Sequence, residues 1–79
     1  MTNLEKLNKI FCEVFSVEES VLNSEFDNKS VDGWDSVHQL TLISIFEEAF
    51  DIMFDPEDIM EMTSYAKGKE LLQKYEVEL

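Results

Sequence analysis

The sequence has few of the features that mark a secreted or membrane protein: it has one cysteine, one proline, no arginine and no long apolar run in 79 residues. Because Cys12 has no second cysteine to pair with, no intramolecular disulfide can form, which excludes the disulfide-rich secreted domains. The longest nearly apolar stretch, Leu40 to Phe46, is too short to cross a bilayer, and the N-terminus lacks the basic start and apolar run of a signal peptide. We expect no membrane insertion and a cytoplasmic location.

Positive charge is also scarce. Eighteen Asp and Glu residues face six Lys, which gives a formal net charge of -12. Such a surface repels phosphate backbones, so nucleic acid is not an expected partner. It favours proteins with basic docking patches, because complementary potentials steer encounter and select partners. The hydrophobic share of 44% is too high for an acidic disordered tail, and the chain is expected to fold.

The length predicts one small domain covering residues 1–79. A chain of this size buries about 60% of the surface that its unfolded form exposes, which supports one modest core. Substrate pockets usually occupy several hundred Å³ of a larger scaffold, so we do not expect an enzyme. We expect a monomer that works by binding other proteins.

Helical signals cover most of the chain. Thr2-Asn3-Leu4-Glu5 has the spacing of a capping box, and the apolar spacing behind it predicts a first helix over about 4–15, with Cys12 as a small buried residue. The strongest pattern predicts a central helix over 36–50, with Phe46 and Phe50 buried. Between these helices, residues 16–35 are expected to form a long ordered loop pinned by isolated hydrophobic side chains: Val17, Val21, Leu22, Phe26, Val31 and Trp34.

Two shorter helices are expected after residue 54. Asp55 followed by Pro56 is a helix start signal, and this third helix should turn Ile59 and Met60 inward. Thr63 or Ser64 can cap a fourth helix, in which Gly68 should cost about 1 kcal/mol relative to Ala. No strand alternation or repeat is found. The predicted fold is all-α: four helices with a long first loop and a short third helix.

The segment Gly33-Trp34-Asp35-Ser36-Val37, followed by an apolar helix that ends Phe46-Glu47-Glu48-Ala49-Phe50-Asp51-Ile52, resembles the phosphopantetheine-attachment region of acyl carrier proteins. The order and spacing of the other elements match this family over essentially the whole chain. The resemblance implies a four-helix bundle of acyl-carrier type. It also implies that Ser36, next to Asp35, carries 4'-phosphopantetheine, transferred from coenzyme A by a phosphopantetheinyl transferase. The arm's thiol would then hold acyl or aminoacyl thioesters for loading and transferring enzymes.

Local chemistry agrees with that placement, since a helix start offers free N–H groups and positive potential beside a phosphodiester. The expected docking residues are the apolar Val37 and the acids Asp32, Glu47, Glu48, Glu57, Asp58 and Glu61. Fatty-acid carriers are acidic at the start of the second helix, whereas this chain has His38, Gln39 and Thr41 there. Together with Trp34, this favours a carrier of a specialised pathway, such as polyketide, peptide or modified-lipid synthesis.

Other functions fit the residues less well. A calcium-binding loop over 28–39 places Gln39 where the bidentate Glu belongs. An esterase at Ser36 lacks a base, because His38 points away from it along the same helix. One His and one Cys are too few for structural zinc, and no metal site is expected. An acidic helical interaction module without a prosthetic group stays open as the alternative, because the helices and charges could serve docking alone.

Overall fold

The computed structural model describes residues 2–79. Four α-helices follow one another: α1 (Asn3–Phe15), α2 (Ser36–Phe50), α3 (Pro56–Glu61) and α4 (Tyr65–Lys74). A single turn of 3-10 helix, Glu19–Val21, lies in the long first connection, and the described residues contain no β-strand. The all-α prediction, with a long first loop and a short third helix, is confirmed.

The predicted capping box starts α1. The backbone N–H of Glu5 donates to the Thr2 hydroxyl, and the Thr2 N–H donates to the Glu5 carboxylate, both at 3.1 Å. These reciprocal bonds satisfy donors that a helix start leaves free. The helix ends at Ser16, whose φ of 55° lies in the left-handed region. Cys12 is half-buried, so the prediction that it lies in the core is wrong.

The central helix α2 begins and ends at the predicted residues. Its inner face buries Leu42, Ile43 and Phe46. Asp51, with a φ of 53°, ends the helix in the left-handed conformation that short polar side chains tolerate. Phe50 lies at this end and is only half-buried, which corrects the prediction that it is a core residue.

The core centres on the fully buried ring of Phe11. Its centroid lies 5.7 Å from that of Phe46 and 5.2 Å from that of Tyr65, both in edge-to-face geometry. Phe15, one turn further along α1, stacks on His38 near the start of α2 at 5.8 Å. Since the end of α1 lies beside the start of α2, the two helices run antiparallel.

The long loop is attached to this core by two buried aromatic side chains, Phe26 and Trp34. Asp27 forms an isolated antiparallel bridge with Ser64, so the loop is also held to the start of α4. Val21 is 43% exposed and does not pin the loop as predicted. A polar contact replaces it: Asn8, itself buried, donates to Glu19 at 3.3 Å.

Of the two α3 residues predicted to turn inward, Ile59 is half-buried against the core as expected, but Met60 is not. Met60 is 77% exposed, whereas Asp58 is 2% exposed. The Asp58 carboxylate accepts hydrogen bonds from Lys74 Nζ at 2.9 and 3.2 Å and from the Tyr75 hydroxyl. A buried carboxylate is tolerated because it is paired and hydrogen-bonded. Asp55 takes the N-cap position, but its side chain makes no capping hydrogen bond.

Ser64 caps α4, as one of the two predicted candidates: its hydroxyl accepts the Lys67 N–H at 2.9 Å. Gly68 is buried in α4, next to Phe11 of α1. A Cβ at this position would stand 3.3 Å from both Met62 Sδ and Phe11 Cζ. The glycine therefore permits a close approach of the helix to the core, a reason that helix propensity alone does not reveal.

Candidate functional site

Ser36 is the first residue of α2 and is exposed. The preceding residue, Asp35, supplies the cap, because its Oδ1 accepts the His38 backbone N–H at 2.8 Å. Ser36 itself is therefore not needed as the cap, and its hydroxyl lies at the surface beside the positive end of a 15-residue helix. The backbone N–H of His38 is the main cause that lowers the pKa of Asp35, with the His38 side chain adding to it. Asp35 thus stays ionised well into the acidic range.

His38 is held by two neighbours. Its Nδ1 lies 2.8 Å from Asp35 Oδ1, and its ring stacks on Phe15. Its side chain is 41% exposed, so these contacts hold a residue that still reaches solvent. The imidazole contacts Asp35 and forms no hydrogen bond with the Ser36 hydroxyl, which a serine esterase would require of its histidine.

Trp34, two residues before Ser36, is packed into the core. It is 6% exposed, and its ring lies 4.8 Å from that of Phe15 and 5.9 Å from that of Phe26. Its backbone N–H donates to the Val31 carbonyl at 3.0 Å. The residues immediately before Ser36 are therefore fixed by aromatic packing on α1, although they belong to a loop. Rigid support of this kind positions a functional group on a loop.

Three large apolar side chains of α2 and α3 are exposed. Val37 is 68% exposed, Leu40 59% and Met60 77%. Gln39 donates its side-chain N–H to the Ile59 carbonyl at 2.8 Å, which fastens the start of α2 to α3. Leu40 is not recognisable as a surface residue from the sequence, because it lies in the strongly apolar α2, and Met60 was expected inside the short α3. Exposed apolar side chains on neighbouring helices suit protein docking.

The predicted docking acids are divided by the structure. Asp32, Glu48, Glu57 and Glu61 are exposed. Glu47 is half-buried and accepts the Phe54 backbone N–H at 2.9 Å, so part of its carboxylate serves the α2–α3 connection. Asp58 is buried against α4, which removes it from the exposed acidic set and corrects its assignment as a docking residue.

A groove of about 290 Å³ opens between α1 and α2, next to the Ser36 turn. Its walls are Glu13 and Val14 from α1, and Val37, His38, Thr41 and Ile45 from α2. The Thr41 hydroxyl donates to the Val37 carbonyl at 2.8 Å, so this polar group is already satisfied within the helix. No local pattern of residues predicts this groove, because it depends on how α1 and α2 are spaced.

Within residues 2–79, no cluster of three or more His, Cys, Asp or Glu side chains is arranged to hold a metal ion. Nor is any helix in that range both long and apolar enough to span a bilayer. Neither the family models nor the curated proteins gave a match to this chain. A function for this chain therefore has to be inferred from Asp35, Ser36 and the exposed apolar and acidic side chains.

Proposed function

We propose that this protein is a carrier of acyl-carrier type, in which Ser36 is esterified with 4'-phosphopantetheine. The main observation behind this proposal is that two adjacent residues at the start of α2 have different roles. Asp35 caps the helix through its side chain, so the neighbouring Ser36 hydroxyl is exposed and not engaged as the cap. Free N–H groups and the helix dipole favour an anionic phosphodiester at this position.

The attachment reaction is performed on this chain by a partner enzyme. The Ser36 oxygen forms a bond to the phosphorus next to pantetheine in coenzyme A, the bond from that phosphorus to the bridging oxygen breaks, and adenosine 3',5'-bisphosphate leaves with that oxygen. The serine proton passes to a base of the transferase, and Mg²⁺ on that enzyme neutralises the leaving phosphate. The thiol at the end of the arm then carries the cargo, and tethering raises the cargo's effective concentration at each docked enzyme.

Docking would use the exposed surface around Ser36. The apolar contacts would come from Val37, Leu40 and Met60, and the charged rim from Asp32, Glu48, Glu57 and Glu61. An apolar centre with a charged rim is the usual layout of a protein interface. The rim would steer enzymes with basic patches to the carrier.

The test of the carrier proposal is the intact mass after incubation with coenzyme A, Mg²⁺ and a broad-specificity phosphopantetheinyl transferase. We expect the wild type to gain one phosphopantetheine and Ser36→Ala to gain none. Ser44→Ala is the matched control, because Ser44 is an exposed serine on the same helix and should leave loading intact. A wild type that stays unmodified with several such transferases, or an S36A variant that is loaded equally, would refute the proposal.

The second candidate is an acidic interaction module without a prosthetic group. This second candidate is favoured by the exposed side chains of Leu40 and Met60, which could serve docking with no arm attached. The two candidates differ in the protein isolated from its own cell. A carrier shows the added mass on Ser36, whereas an interaction module shows the mass of the unmodified chain.

The partners of this carrier are proposed to belong to a specialised pathway. Its first α2 turns hold His38, Gln39 and Thr41 in place of acids, and Asp35 is already engaged by His38. Exposed ion pairs contribute up to about 1 kcal/mol each, so the loss of several weakens docking to fatty-acid enzymes. We expect slow acyl transfer by a housekeeping ketosynthase and faster transfer with the His38→Glu/Thr41→Glu variant. Wild-type rates that match a fatty-acid carrier, with no gain in the variant, would contradict this assignment.

A further inference from the structure

Two depressions follow one another where α1 packs against α2. The first is the groove of about 290 Å³ described above, whose α2 wall ends at Ile45. The second has a volume of about 460 Å³ and lies between Lys6, near the start of α1, and Ala49, near the end of α2. Ile45 and Ala49 are one helical turn apart, so they are neighbours on the surface of α2. The two depressions therefore form one trough, which we call the α1–α2 trough.

The trough lies on a different side of α2 from Ser36. Ile45 follows Ser36 by nine residues, or about two and a half turns, so the two side chains lie on opposite sides of the helix. From Val37 to Phe50 the trough extends about 20 Å along α2, which is the length of an α-helix of about 13 residues. A partner that lies in the trough would leave the Ser36 hydroxyl uncovered.

The trough has apolar walls that are still open to solvent. Val14, Ile45 and Phe50 line it and are each half-buried, so part of every one of these side chains is free to contact a partner. An amphipathic helix binds in a groove of this kind by laying its apolar residues i, i+4 and i+7 against the walls. The length and the walls of the trough fit such a helix.

The rim of the trough is acidic. Its two depressions are lined by one lysine, Lys6, and by four exposed carboxylates: Glu13, Asp51, Glu76 and Glu78. None of these four makes an ion pair within residues 2–79. The net charge of -12 repels a second copy of this chain, anionic lipid and nucleic acid, whereas it attracts a basic protein surface. Charge complementarity therefore selects a basic helix as the occupant.

We propose that the α1–α2 trough is a docking site for a basic amphipathic helix of a partner protein, with its apolar residues against the walls and its Lys or Arg residues along the acidic rim. The site goes beyond the carrier function, because it needs no group on Ser36. A carrier with this second surface can stay bound to one protein while its Ser36 side is free for others.

The test is methyl NMR of the whole chain, isotope-labelled and titrated with a synthetic helical peptide of about 13 residues, with Leu at i, i+4 and i+7 and Lys over the rest of its surface. We expect saturable shifts of the Val14 and Ile45 methyl signals, and none of the Leu40 or Met60 signals. A scrambled peptide of the same composition has the same charge but no apolar face. It should bind at least about tenfold more weakly.

Two pairs of variants separate the trough from the rest of the surface. Glu13→Lys reverses a charge on the rim and should weaken peptide binding about fivefold or more, whereas Glu25→Lys, at an exposed acid of the long first loop, should leave it nearly unchanged. Ile45→Ser should weaken binding at least about tenfold, and Leu40→Ser, on the Ser36 side, should not. Because Glu13 is exposed, the first pair tests the site even if Ile45→Ser does not fold.

Several results would overturn this docking site. These are shifts centred on Leu40 or Met60, equal binding of the scrambled peptide, equal effects of Glu13→Lys and Glu25→Lys, or no saturable shift at all. Self-association of the chain through the trough, seen by sedimentation without peptide, would also overturn it. Ser36→Ala should bind the peptide as the wild type does. Failure of the transferase to load Ser36 would refute the carrier function and leave the docking site standing.

Discussion

Replacing Phe46 by alanine tests the centre of the fold. The Phe46 side chain is fully buried, and its ring lies 5.7 Å from that of Phe11 and 6.0 Å from that of Phe50. Truncation of a buried Phe costs about 3 to 5 kcal/mol, from lost transfer free energy and from the cavity left behind. At about 0.05 to 0.15 kcal/mol per residue, a domain of this length has a free energy of unfolding of about 4 to 12 kcal/mol. The variant should lose a large part of that stability.

The matched control is Phe50→Ala, because it removes the same atoms one turn further along α2 from a half-buried site. Part of the Phe50 side chain is already in contact with water, so the loss in free energy of unfolding should stay below about 2 kcal/mol. The assay is denaturant unfolding of both variants, with the midpoint read at an unchanged slope. A Phe46→Ala loss below about 1 kcal/mol, or equal losses at the two positions, would show that the inner face of α2 is misassigned.

Three further predictions follow from charge and packing. Hydrogen bonds from Tyr75 and then Lys74 lower the pKa of Asp58, so the ionised carboxylate stabilises the fold above about pH 4, the ordinary range of an Asp, and this stabilisation is lost as the pH falls through the lowered pKa. Unfolding measured from about pH 7 to 2 should therefore show that the wild type is more stable than Asp58→Asn by an amount that shrinks below about pH 4. The control Glu57→Gln, at an exposed site, should show no such difference. Gly68→Ala should give no net gain in thermal midpoint, because the added Cβ crowds Phe11 and Met62 and offsets a helix-propensity gain of about 1 kcal/mol; a rise of about 4 to 8 °C would mean that the neighbours yield freely. Sodium chloride should raise the thermal midpoint by screening the repulsion among eighteen acids, and a midpoint that does not move with ionic strength would contradict this.

The candidate site could largely be located from the sequence, because its key features are local. A capping aspartate, a serine at the helix start and an apolar run behind them all lie within one stretch of chain, and the structure begins α2 at Ser36 with Asp35 as the cap. Capping depends on hydrogen bonds between residues three apart, so the residues of one short segment are enough to predict where the helix begins. The chemistry assigned to Ser36 remains a prediction that the loading experiment tests.

The surface around the site could not be predicted in the same way. Helix α3 has only six residues, and so short a segment does not show a clear helical period. Its orientation depends on Lys74 and Tyr75, which bond to Asp58 from 16 and 17 residues away. For that reason Met60 was expected inside and Asp58 outside, and the structure shows the reverse.

The sequence by itself determined the helical class, the starts of α1, α2 and α4, and the strong negative charge, because each depends on composition or on residues within one or two turns. Only the tertiary structure decided which side of each helix faces the core, why Gly68 is close-packed, that a groove opens between α1 and α2, and that Gln39 bonds α2 to α3. These features depend on distances between segments that are far apart in the chain. Side-chain packing and hydrogen bonds between helices set those distances, and no local pattern of residues specifies them.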